Sequence, residues 1–133
     1  MIDRLFTYGT LEIPAVFQAV ALASRPSRPA VLEGYARFLV RGECFPGITE
    51  RPGHATSGTL YFDLELEMLA RIDRFEGREF ERKTVDVSMA GERFSAYVYT
   101  VRSETLSDEP WDPKRFMERH LEEFLAARSA WIE

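Results

Sequence analysis

Two short segments of this 133-residue chain hold groups suited to chemistry. The first is Tyr8-Gly9-Thr10-Leu11, which follows the apolar run Leu5-Phe6-Thr7. A glycine directly after a strand lets the backbone reach φ > 0 and lets a ligand approach with no Cβ in the way. Successive N–H groups in such a turn form a concave anion site, suited to a carboxylate. The same residues also fit an ordinary strand-to-loop glycine. The second segment is Ile72-Asp73-Arg74-Phe75-Glu76-Gly77. If Phe75 continues a buried helical stripe, Glu76 lies about 100° further round, at the edge of the core face. Partial burial raises a carboxylate's pKa, and the negative end of a helix pushes the same way. Both effects suit a proton acceptor working near neutrality. A solvated charge ahead of a helix-stopping glycine has the same local sequence.

The other reactive side chains read as bland. Cys44 has no histidine near it in sequence and no obvious basic partner to make a thiolate. His120, between Phe116 and Phe124, fits a packed or edge residue, and His54 fits an exposed loop. With one distant cysteine these histidines match no zinc-ligand spacing, so no metal is expected. A lone cysteine cannot close an internal disulfide, and the chain asks for no oxidising compartment.

The elements that must position these groups follow from pattern. Leu5-Phe6-Thr7-Tyr8 reads as a strand entering a turn, and Ile13 to Leu22 as a helix with Pro14 in its first turn. Arg25 to Pro29 ends that helix as a loop. Val31–Val40 reads as a strand, Gly42–Gly53 as a loop rich in Gly and Pro, and Thr56–Phe62 as a strand. Asp63 stands where an N-cap belongs, and Leu64, Met68, Ile72 and Phe75 make one helical stripe that Gly77 stops. Arg82–Ser88 and Phe94–Val101 alternate like a hairpin turning near Ala90-Gly91. Asp112-Pro113 opens a last helix running to about Ala130, with Phe116, His120 and Phe124 on one face. The order β-α-β-β-α-β-β-α predicts an α+β fold. Its sheet is mixed or antiparallel and barrel-like, with two packed helices and a C-terminal helix.

Length and composition predict one domain over residues 1–133, with 45% hydrophobic residues to build its core. The net charge of -5 and the scarcity of basic clusters argue against nucleic acid or anionic membrane as a partner. No apolar run reaches the roughly 20 residues of a membrane span, and Met1 to Phe6 lacks a signal-peptide pattern, so the expected location is cytoplasmic.

Four segments in order resemble the gamma-glutamyl cyclotransferase-like family. They are Leu5–Leu11 with its Tyr-Gly-Thr-Leu turn, Gly42-Glu-Cys-Phe-Pro-Gly-Ile48, Ser57-Gly-Thr-Leu-Tyr61, and Leu69 to Glu76 followed by Phe80-Glu81-Arg82. The turn looks nearest the gamma-glutamylamine cyclotransferase branch. The resemblance implies Glu76 as catalytic base and Tyr8, Gly9, Thr10, Leu11 and Phe45 as substrate-binding residues, with no cofactor. It also implies a reaction in which the α-amine of a γ-glutamyl group attacks its own γ-carbonyl, releasing an amine and closing 5-oxoproline. Phe45 and Phe80 stand where the family commonly has tyrosine, so each keeps a ring and loses a hydroxyl. Arg82 fits a structural ion pair better than a substrate contact. The alternative is a non-catalytic module binding a small polar ligand on the same fold.

Overall fold

Leu5, Phe6 and Thr7 are all buried because the strand they form, β1 (Leu5–Thr7), has neighbours on both edges. A computed structural model describes residues 2–127. After β1, a 3₁₀ turn over Thr10–Glu12 leads into α1 (Pro14–Ala21), then the two long strands β2 (Ser27–Leu39) and β3 (Pro46–Tyr61). Helix α2 (Leu66–Glu76) precedes the hairpin β4 (Glu81–Met89) and β5 (Glu92–Thr100). The described chain ends in α3 (Pro113–Arg119) and α4 (Leu121–Ala126). The strands close into a barrel in the order β1-β3-β2-β4-β5. Every pairing is antiparallel except the closure, where β1 runs parallel to β5 through Leu5 and Tyr97. The predicted α+β, mixed barrel-like architecture is the one observed.

Strand alternation divides the core in two. Phe6, Leu32, Ile48, Leu60, Val87, Ala96 and Val98 come from all five strands and from no helix, so they fill the barrel. Their sequence neighbours Leu5, Tyr61 and Tyr99 point the other way and meet Val16, Phe17 and Val20 of α1 and Met68, Leu69 and Ile72 of α2. Pro14 sits in the first turn of α1, where its missing N–H costs nothing, and Leu22 ends that helix in the left-handed region at φ 66. Gly77 stops α2 at φ 78 as expected. The β4–β5 turn places Ala90 and Gly91 at φ 52 and 81, the double positive φ that suits the twist of a two-residue hairpin.

Several local expectations are corrected. Asp63 is no N-cap: it takes φ 61, and α2 starts later, with Glu65 at the cap position. Ser27 to Pro29 already belong to β2. The expected loop over Gly42–Gly53 shrinks to the connection before Pro46, because β3 begins there and pairs with β2 from Leu39 back to Tyr35. The pairing breaks only between Glu50 and Ala55, opposite Gly34, leaving His54 exposed on the irregular stretch. The last helix is divided at His120, whose φ of -127 leaves the helical region, and Ala130 lies outside the described residues. Asp112 caps α3 as expected, accepting the Lys114 N–H at 3.0 Å.

Candidate active site

The end of β1, the start of β3 and the end of β5 must lie at one mouth of the barrel. This follows because β1 is antiparallel to β3 and parallel to β5. That geometry brings Tyr8, Pro46 and Tyr99 together although they are far apart in sequence. Helix α2 delivers Glu76 to the same mouth from its C-terminal end. A cavity of about 190 Å³ opens there, lined by Thr7 to Leu11, Phe45, Pro46, Phe75, Glu76, Phe80, Tyr99 and Phe124. All six residues singled out from sequence line it.

The turn is fixed from several directions. Arg37 of β2 donates to the Tyr8 carbonyl at 2.8 Å, and the Tyr61 hydroxyl donates to the Leu11 carbonyl at 3.0 Å. The Tyr61 ring is itself stacked on Phe17 with centroids 3.9 Å apart. The Tyr8 hydroxyl donates to the Tyr99 carbonyl at 2.6 Å. Two of the four carbonyls in the segment are thereby held by side chains, which fixes the backbone of the turn. The 3₁₀ turn closes through Glu12 N–H to the Gly9 carbonyl and Ile13 N–H to the Thr10 carbonyl. The N–H groups of Thr10 and Leu11 precede those bonds, as the first donors of any such turn do.

Gly9 differs from expectation. Its φ is -136, so positive φ is not why glycine stands there. A Cβ at this position would sit 2.7 Å from Pro46 Cγ and 3.0 Å from Cδ. The glycine is a close-approach residue that lets the start of β3 pack against the turn.

Glu76 is partly buried. Burial pushes its carboxyl up to about 8, and the neighbouring Asp73 charge adds to the shift. Among the described residues no donor is hydrogen-bonded to that carboxylate, so nothing offsets the desolvation. Asp73 lies three residues earlier and is differently placed. It accepts the Tyr99 hydroxyl at 2.5 Å and approaches Arg82 Nε at 3.5 Å. The Arg82 guanidinium also lies 4.5 Å from the Tyr97 ring, so this arginine serves as a structural ion pair, as anticipated. The phenols of Tyr8 and Tyr99 are both raised, mainly by burial, and stay protonated as donors.

Sequence reasoning did not pick out Tyr99, Asp73 or Phe124 for this site. Tyr99 and Phe124 come from segments beyond the four motif-bearing ones, and only the barrel closure and the helix break bring them in. Cys44 stays off the cavity lining, and burial raises its thiol further from ionisation. Among the described residues no group of three or more His, Cys, Asp or Glu side chains is placed to hold a metal ion. No described helix is long and apolar enough to cross a membrane.

With this geometry in place, comparison with known proteins is direct. The sequence model of the family described as gamma-glutamyl cyclotransferase, AIG2-like, matches residues 5–118. The chain belongs to that family. The match takes in the turn, Phe45, Glu76 and Tyr99. Protein AIG2 B of Arabidopsis thaliana is 26% identical over 133 residues, covering 97% of this chain and 79% of that protein. A solution structure from Arabidopsis thaliana superposes with a TM-score of 0.72 at 25% identity, covering 96% of this chain and 80% of that one. A solved gamma-glutamyl cyclotransferase superposes with a TM-score of 0.68 at 16% identity, covering 98% and 88%, a likeness of fold.

Proposed function

We propose that the protein is a gamma-glutamyl cyclotransferase-type enzyme, releasing an amine from a γ-glutamyl amide with formation of 5-oxoproline. The observation that carries this reading is Glu76, a carboxyl raised to about 8 in the lining of a cavity that the Tyr8–Leu11 turn also lines. Nucleophile and electrophile are in one molecule, so the enzyme's main task is to fold the substrate into its cyclising conformer. The turn amides hold the substrate's α-carboxylate, which places its ammonium beside Glu76. That positive charge lowers the Glu76 pKa and draws out the carboxylate.

Glu76 then takes a proton from the ammonium, and the freed amine attacks the γ-carbonyl carbon. As the lactam C–N bond forms and the bond to the departing nitrogen breaks, the ring nitrogen loses a second proton. The departing nitrogen takes up both and leaves as an ammonium, with Glu76 relaying them. No cofactor enters this scheme. The test is a panel of γ-glutamyl amides and γ-glutamyl amino acids incubated with purified protein, with 5-oxoproline measured directly. Binding without any 5-oxoproline would leave a ligand-binding module on the same fold.

A further inference from the structure

Four phenylalanines, Phe45, Phe75, Phe80 and Phe124, are half-buried, and all four line the cavity that Glu76 faces. Phe45 and Phe80 lie 6.2 Å apart between centroids, and Phe75 meets Phe124 edge to face at 6.0 Å. Phe124 is braced from behind by Phe116 at 5.4 Å, which in turn packs on Trp111. The wall is thus anchored in the core. Among the described residues lining the cavity there is no Lys, Arg or His, and Glu76 is the one carboxyl.

We propose that this wall is the subsite for the departing amine, and that it takes one whose substituent is an uncharged aromatic or large alkyl group. The inference rests on the cyclotransferase reading and adds the class of leaving group to it. A γ-glutamyl compound brings one carboxylate of its own, which the turn amides hold. A leaving group that is itself an amino acid brings a second, and among the described residues the phenylalanine wall offers it neither a cation nor a donor. Burying that charge unpaired is costly, whereas an aryl or alkyl group gains by packing against the apolar rings that line the cavity. Phe45 and Phe80 contribute to the same selectivity, because tyrosine hydroxyls at those two positions would have given a polar group something to bond.

Three ligands separate the contributions: γ-glutamyl-phenethylamide, γ-glutamyl-ethylamide and γ-glutamyl-phenylalanine. The first differs from the second by the ring and from the third by the carboxylate. Calorimetric titration of Glu76→Gln protein reads binding without turnover, and 5-oxoproline release by the wild type reads kcat/KM. The phenethylamide is expected to exceed each of the others by about tenfold or more in both measurements. In Phe124→Leu, which keeps an apolar side chain for folding, the ratio to the ethylamide should shrink. Either wild-type kcat/KM ratio or either binding ratio falling to one overturns the subsite. If the binding order holds and no 5-oxoproline forms, the apolar subsite stands and the cyclotransferase reading fails.

Discussion

The Tyr8 hydroxyl donates to the backbone carbonyl of Tyr99, 91 residues away, at 2.6 Å. Because the Tyr99 side chain in turn donates to Asp73, β5 ties the Tyr8–Leu11 turn to the helix that carries Glu76. Tyr99→Phe keeps the ring and the carbonyl but removes the bond to Asp73. Since Asp73 is partly solvated, the loss should be about 1 kcal/mol, seen as a lower melting temperature, together with a reduced kcat. A variant that melts and turns over like the wild type would show that the link carries no strain between helix and strand.

Glu76→Gln preserves shape and removes the proton acceptor. Turnover should fall roughly 10²-fold or more, the usual contribution of a general base, while substrate still binds through the turn. Wild-type rates of 5-oxoproline formation in this variant would reduce Glu76 to a helix-end charge.

The raised pKa has a thermodynamic signature as well. Between the ordinary 4.5 and about 8, the folded protein holds a proton on Glu76 that the unfolded chain has already lost. Folding stability therefore falls as pH rises through that window and levels off on either side. The amide of Glu76→Gln has no such dependence. Its stability advantage over the wild type should be small near pH 4.5 and grow to on the order of a few kcal/mol above pH 8. Thermal melts of both proteins across that range check the sign, and a constant difference would contradict it.

The same ionisation should shape the kinetics. The acid limb of kcat/KM is expected near pH 8, since that quantity reports the free enzyme. The limb of kcat should lie lower, because the bound substrate's ammonium favours the carboxylate. Asp73→Asn still accepts the Tyr99 hydroxyl and removes the charge that helps raise Glu76, so the kcat/KM limb should move to lower pH. A limb that stays put would mean Asp73 is electrostatically silent.

Gly9→Ala forces a Cβ against the Pro46 ring, and the neighbouring backbone must shift to admit it. A stability loss of about 1–3 kcal/mol is expected, with weaker ligand binding because the turn moves. Pro46→Ala in the same chain should recover much of that loss. If the double variant is merely the sum of the two singles, the close approach is not what selects glycine here.

Much of the architecture is legible in the sequence because its signals are local. The Pro14 start, the Gly77 stop, the Asp112 cap and the Ala90-Gly91 turn each depend on neighbouring residues alone. Several of the failures are cases where a distant residue decides. Pro46, Gly47, Pro52 and Gly53 read as a loop, yet they lie within β3. At Gly47 a Cβ would collide with Val101, and at Gly58 with the Thr7 carbonyl, so these glycines mark crowded contacts rather than turns. Gly9 reads from sequence as a site for positive φ and for the approach of a ligand, whereas the space beside it is taken by Pro46. For the candidate site, the turn and Glu76 fit ordinary structural roles on their own segments, and it is the four motifs taken in order that single them out. Tyr99 and Phe124 carry no local mark, because what brings them in is barrel closure and the break at His120.

That closure also sets the order in which the protein can assemble. Strand β1 can pair with β3 earlier but finds its parallel partner only when β5 exists, so its second edge is among the last to be secured. Closing a loop of that length is entropically slow compared with forming the β4–β5 hairpin or the neighbouring β2–β3 pair. A ribosome-bound chain shorter than about 100 residues would present β2, β3 and their helices with the barrel still open and the cavity missing one wall. Ligand binding would therefore appear late and all at once during synthesis, making it a sensitive reporter of the final folding step.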